Sequence, residues 1–216
     1  MVERLLSLLI LAGGQSRRMG QDKLWLELDG APLIARVVGH VLPLAAEILF
    51  SANTPERFAA LARTLPVPAR VVSDRFPGAG PLAGLHAGLS AARHEWVLAL
   101  AADMPFVNQT LLRQMIALAE DCDAVVPQTL HPDTAVATWE PLHALYRRTC
   151  LPVIKRHLAA GDRRMTCFYD EIRVRALAPD AVRRIDPDLL SFFNINTPDD
   201  WRRGRELAAR QAGAEM

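Results

Sequence analysis

The seam after residue 11 constrains this chain most. A nearly continuous apolar run, Leu5–Leu11, breaks off into Ala12-Gly13-Gly14-Gln15-Ser16-Arg17-Arg18-Met19-Gly20-Gln21-Asp22-Lys23. A short apolar run of this kind is a strand covered on both faces, as in a parallel sheet. Paired glycines let the backbone approach an anion closely and aim several N–H groups at it. Arg17, Arg18 and Lys23 add cations, Arg with a planar fork and Lys as a compact point charge. The seam predicts a strand that feeds a polyphosphate-binding loop.

The rest of the pattern extends that strand into a layered fold. Helical spacing runs over Pro32–Leu42, from Thr54-Pro55 to Leu65, and over Pro81–Ala92. Strands are predicted at Glu47–Ala52, Arg70–Ser73 and Trp96–Ala102 between them. Asn108 caps a helix over Gln109–Glu120. Ala124–Pro127 reads as a strand, and Thr134–Tyr146 as a strand running into a helix near Leu142. A helix over Leu151–Ala159 closes at Gly161. Strands follow at Ile172–Ala176 and Phe192–Ile195, and Pro198 starts a last helix ending near Gln211, with Ala212–Met216 frayed. Alternating strands and helices imply a three-layer α/β fold with a mostly parallel central sheet and right-handed crossovers. Such sheets bind ligands at the carboxyl ends of their strands. Gly13, Asn53, Asp74 and Asp103 each follow a predicted strand, so they should share one rim.

Bulk properties exclude other classes. With 216 residues and a net charge of +1, the chain has no global field for nucleic acid or an anionic membrane. The arginine pairs 147–148, 163–164, 183–184 and 202–203 read as solvated helix faces or caps. Cys122, Cys150 and Cys167 are odd in number and widely spaced, so buried thiols in a reducing cytoplasm are expected rather than a disulfide framework. The N-terminal apolar run is too short to span a bilayer and has no signal-type cleavage site after it. No nucleic-acid or membrane partner is expected.

The phosphate loop is neither of the two commonest kinds. A P-loop needs a hydroxyl after its Lys, and the dinucleotide fingerprint needs G-x-G-x-x-G; this chain has neither. The segment instead resembles the opening signature of sugar- and cofactor-activating nucleotidyltransferases, a strand and then L-A-x-G-x-S-x-R-M-G-x-x-K. Asp74-Arg75 leads into a second glycine loop, Gly78-Ala79-Gly80-Pro81-Leu82-Ala83-Gly84. Ala102-Asp103-Met104-Pro105-Phe106, Pro141-Leu142-His143-Ala144-Leu145-Tyr146 and Phe193-Asn194-Ile195-Asn196-Thr197-Pro198 follow in order. Together these resemble the molybdenum cofactor guanylyltransferases of MobA type, from Leu8 to about Trp201. Related cytidylyltransferases usually carry Ala-Ala-Gly in the first loop and lack Gly-Pro-Leu-Ala-Gly in the second, so the resemblance favours GTP over CTP.

The resemblance implies a Rossmann-like nucleotidyltransferase domain over 1–216, with a nucleotide-binding half over about 1–107 and an acceptor half over about 108–212. It implies Mg²⁺-dependent transfer of GMP from GTP to the terminal phosphate of molybdopterin, with pyrophosphate leaving. A cytidylyltransferase on the same fold, or a non-catalytic module delivering cofactor to molybdoenzymes or their chaperones, are the rival readings. The nucleophile is itself an anion, so catalysis reduces to positioning and electrostatic stabilisation. Catalytic roles fall to Lys23, Arg18 and Asp103, with Asp103 as Mg²⁺ ligand or, alternatively, a capping carboxylate. Nucleotide contacts are carried over to Leu11, Ala12, Gly13, Gly14, Lys23, Asn53, Asp74, Gly80, Pro81, Gly84 and Asp103. Asp74 is placed to accept from guanine N1–H and its exocyclic amine; Asn53 is a nucleotide contact or a helix cap. Asn194 and Asn196 face the acceptor or the metal, or else form a turn that ends the strand and caps the last helix; His143 and Tyr146 line the pterin side of the acceptor or pack in the core. His86, Trp25, Trp96, Trp139 and Trp201 read as packing.

Overall fold

In a computed structural model, which describes residues 6–13, 22–54 and 56–214, the chain builds one eight-stranded sheet between two layers of helices. In chain order the elements of the first part are β1 (Leu6–Leu11), a hairpin of β2 (Glu27–Leu28) and β3 (Ala31–Pro32), α1 (Leu33–Val41), β4 (Glu47–Ser51), α2 (Glu56–Thr64), β5 (Ala69–Val72), α3 (Pro81–Ala91) and β6 (Trp96–Ala101). Then come α4 (Gln109–Ala117), β7 (Ala124–Leu130), β8 (Ala137–Trp139), β9 (His143–Arg147), α5 (Leu151–Ala159), β10 (Val174–Leu177), α6 (Pro179–Ile185) and α7 (Pro198–Ala214). Spatially the strands run β10-β7-β9-β6-β1-β4-β5, with β8 hung on β7.

Burial explains the strands. Leu8 and Ile10 of β1 point to one face with Val37, Phe50, Phe58, Leu98 and Leu112. Leu9 points to the other, with Leu49, Leu85, Val97, Tyr146, Ile154 and Phe168. A strand covered on both sides has no polar face, which is why β1 and β6 read as unbroken apolar runs. Burying each such side chain contributes about 1.5–3 kcal/mol. Among the described residues no helix is long and apolar enough to cross a membrane.

Chain order places the cleft. From β1 the chain moves outward through β4 to β5, then crosses back over α3 to β6 on the other flank of β1. That reversal opens a crevice at the carboxyl ends of β1, β4 and β6. At the opposite end, the Glu47 carboxylate is sealed in, accepting from Ser7 Oγ at 2.6 Å, Arg93 N at 2.6 Å and Arg70 Nη1 at 2.7 Å.

The second half departs from expectation. Thr134–Tyr146 contains two strands and no helix near Leu142: β8 and β9. β9 lies antiparallel between β6 and β7, and its dense apolar run, buried on both faces, imitates a helical segment. Phe192–Ile195 is not a strand. Leu190–Phe192 is a 3-10 turn pinned by Asp186, whose carboxylate accepts from Leu190 N at 3.1 Å and Ser191 N at 2.8 Å. The short helix α6 has no counterpart among the predicted elements, and α7 runs past Gln211 to Ala214. The Asn108 cap holds, with its Oδ1 accepting from Thr110 N and Leu111 N, although α4 stops at Ala117. All three cysteines are free thiols; Cys122 and Cys150 are buried and Cys167 half-buried.

Candidate active site

Segments remote in sequence meet at the crevice. The cavity of ≈ 320 Å³ is lined by Leu11, Ser51 and Ala101, the last residues of β1, β4 and β6, and by Gly13, Asn53, Asp74 and Asp103, each two residues past a strand. Gly78, Gly80, Pro81 and Gly84 form one wall and Leu142 another. Gly78 (φ +74°) and Gly80 (φ +69°) adopt backbone that side chains disfavour, and this lets the loop turn tightly into α3. At Gly84 the reason is space, since a Cβ would stand 2.6 Å from Leu11 Cδ2 and 2.7 Å from Ser51 Oγ. Ala12 lies behind the lining, buried, with its N–H on the Ser51 carbonyl at 3.0 Å.

At the rim stands an ion pair. Lys23 Nζ, in a 3-10 turn over Lys23–Trp25, donates to Asp103 Oδ2 at 2.7 Å, the Ile195 carbonyl at 2.7 Å and Asn196 Oδ1 at 2.9 Å. The two charged side chains are only 14% and 20% exposed, so solvent weakens their attraction less than at an open surface. Ile195 N–H in turn donates to the Asp103 carbonyl at 3.0 Å, which stitches the late segment to the end of β6. Asp200 Oδ2 fixes that segment from below by accepting from Asn196 N at 3.0 Å and Thr197 N at 2.8 Å. Deeper in the cleft, partial burial raises the Asp74 pKa above its ordinary 3.8; the Ser51 hydroxyl, 3.3 Å away, pulls the other way.

The expected site residues sort as follows. Leu11, Gly13, Asn53, Asp74, Gly80, Pro81, Gly84 and Asp103 line one cavity, and Lys23 and Asn196 cap its rim. Gly14 and Arg18 lie outside the described residues. Asn194 turns away, with its Nδ2 donating to the Phe192 carbonyl at 3.3 Å. His143, expected toward the acceptor, is instead fully buried, its ring edge-on to Phe192 at 5.1 Å. Burial drives its pKa down to about 4, and a neutral ring in the core offers a substrate no surface. Tyr146 is likewise enclosed, its hydroxyl donating to the Pro141 carbonyl at 2.9 Å and pairing with Tyr169 Oη at 2.7 Å.

Several contributors carried little sequence signal. Ser51 is the last residue of its strand, so its place on the rim follows from the strand boundary alone. The Ile195 carbonyl is backbone and has no side-chain signature. Arg163, expected on a solvated face, donates through Nη1 to the Gly78 carbonyl at 3.1 Å and so props the second glycine loop.

A family model described as the MobA-like NTP transferase domain matches residues 8–176. The chain belongs to that family. Among MobA-like relatives, a molybdenum cofactor guanylyltransferase of Desulfosudis oleivorans is 39% identical over 207 residues, covering 95% of this chain and 96% of the relative. The solved molybdopterin-guanine dinucleotide biosynthesis protein A of Archaeoglobus fulgidus superposes with a TM-score of 0.77 at 29% identity, covering 94% and 99% of the two chains. A 4-diphosphocytidyl-2C-methyl-D-erythritol synthase from Anaerococcus prevotii, 16% identical, shares the fold with a TM-score of 0.70 over 95% and 98% of the chains.

Proposed function

We propose that this MobA-like transferase moves GMP from GTP onto the terminal phosphate of molybdopterin. An oxygen of the acceptor phosphate bonds to the α-phosphorus of GTP, the α–β bridging P–O bond breaks, and pyrophosphate leaves with its electron pair. The observation that carries this reading is the Lys23–Asp103 pair at the rim of a cavity that Gly13, Asp74 and Gly80 share. Full-length relatives named as guanylyltransferases support the same chemistry.

Each group has a task in that reaction. The Lys23 ammonium offsets charge on the β- and γ-phosphates. Main-chain groups around Gly13 and Gly80 accommodate the nucleotide without side-chain bulk. Asp74, ionised, accepts from the N1–H and exocyclic amine of guanine, a donor pair that cytosine lacks in that arrangement. Asn196 ties the acceptor half to Lys23. The donor set round the ammonium, a carboxylate, an amide oxygen and a carbonyl, is also the hard-oxygen set that Mg²⁺ accepts. Asp103 is the residue to hold such an ion, which when bound would screen the charge of the phosphate oxygens.

The test incubates the purified chain with molybdopterin, MgCl₂ and either GTP or CTP, and follows pyrophosphate and the dinucleotide product. Release that needs both GTP and acceptor, and stops with EDTA, is the expected result. Preferential use of CTP would make the chain a cytidylyltransferase. Nucleotide binding with no turnover would make it a delivery module.

A further inference from the structure

Helix α3 has a second working face. Pro81 and Gly84 look into the cleft, whereas His86 and Ser90, one turn apart, line a separate cavity of ≈ 380 Å³ on its far side. Leu151, Pro152 and Lys155 of α5 form the facing wall. Phe76 closes one end, its ring perpendicular to that of His86 with centroids 5.1 Å apart.

The charges around this cavity are one-sided. Arg75 and Lys155 line it, and none of the lining residues is acidic. Neither cation has an ion-pair partner among the described residues. Burial, and then the fields of Arg75 and Lys155, push the His86 pKa below its ordinary 6.5 and disfavour a third positive charge there. The Ser90 hydroxyl proton is already committed to the His86 carbonyl at 2.7 Å. Both cations are exposed and flank the apolar hollow without an acidic partner among the described residues. A low-polarity wall strengthens their pull on any anion that enters.

We propose that this cavity is a binding site for a small organic anion. Its phosphate, sulfonate or carboxylate sits between Arg75 and Lys155, and its flat apolar body rests on Phe76, Leu151 and Pro152. The volume falls in the range of small-molecule pockets and exceeds what a bare inorganic ion fills. The apolar wall gives the body of the ligand a share of the affinity. This inference does not depend on which nucleotide the cleft takes.

Phenyl phosphate is the probe, titrated calorimetrically into the intact chain in the presence of saturating GTP and Mg²⁺ without acceptor. Binding should persist with the cleft filled, and should weaken about tenfold in Lys155→Met and again in Arg75→Gln, the loss of one charge-assisted contact each. Inorganic phosphate should bind at least about tenfold more weakly than phenyl phosphate, and benzyl alcohol should show no binding. Circular dichroism of each variant confirms that it is folded. Displacement of phenyl phosphate by GTP, equal affinity for phenyl and inorganic phosphate, indifference to both substitutions, or no binding at all would each overturn the proposal.

Discussion

Lys23 Nζ and Asp103 Oδ2 lie 2.7 Å apart although 80 residues separate them in the chain. Asp103 stands just past a strand in the middle of the sheet, whereas Lys23 opens a 3-10 turn. Their contact joins the two segments that the proposed chemistry needs together.

If the pair acts as one unit, Asp103→Asn and Lys23→Met should each lower kcat for pyrophosphate release by about 10²–10³. The double variant should fall little further than the worse single one, because groups that act together are not additive. Steady-state kinetics on all three variants decide it; losses that multiply would mean independent roles.

Asp74 should set both base choice and an acid limb. Burial holds its pKa above 3.8, so ionisation is lost sooner on acidification than for an exposed aspartate. KM for GTP should therefore rise as the pH falls toward and through that raised value. Asp74→Asn should remove the acid limb and raise KM at neutral pH by roughly 10–100-fold, the value of a hydrogen bond to a charged acceptor. ITP, which lacks the exocyclic amine, should be a poorer substrate than GTP for the parent chain, and the gap should narrow in the variant.

Two glycines of α3 should separate stability from binding. A Cβ at Gly88 would drive into the Leu9 side chain in the core, and one at Gly84 into Leu11 and Ser51. Both Gly→Ala changes should cost about 1–3 kcal/mol by overpacking. Only Gly84→Ala should also raise KM for GTP, because Ser51 Oγ hydrogen-bonds to Asp74. Denaturant melts read beside KM values make the comparison.

Glu47 should govern acid stability. Burial alone would raise its pKa, but the Arg93 N–H, the Ser7 hydroxyl and Arg70 outweigh it and leave the value below 4.5. The folded form thus releases its proton more readily than the unfolded chain. Its stabilisation is complete above about pH 4.5 and fades as the pH falls through the folded-state value. Glu47→Gln should destabilise by about 1.5–3 kcal/mol at pH 7. Melts from pH 7 to pH 3 should then show a shallower acid decline than in the parent chain.

The first half of the fold is legible in the sequence because its strands are short, apolar and separated by helical stretches that open near Pro32, Pro55 and Pro81. A residue placed just after such a strand is automatically a rim residue, so Asn53, Asp74 and Asp103 could be located without coordinates. The second half resists for a definite reason. β9 is buried on both faces between β6 and β7, and it loses the alternation that marks a strand. His143 reads as an acceptor contact because its neighbours form part of a motif, yet its place within β9 turns it into the core. What chain order cannot reveal is backbone chemistry, and the Ile195 carbonyl on Lys23 is the instance that matters most.

The reversed direction of β9 has a wider consequence. Because it runs against its neighbours, the β8–β9 connection emerges at Leu142, on the same edge of the sheet as the strand ends that line the cleft. One connection can therefore lengthen, shorten or change its side chains beside the cleft while the strands that lead to Gly13, Asp74 and Asp103 keep their pairing. A scaffold of this plan lets one wall of its cleft diverge by revising a single peripheral excursion, while the parallel strands opposite stay fixed.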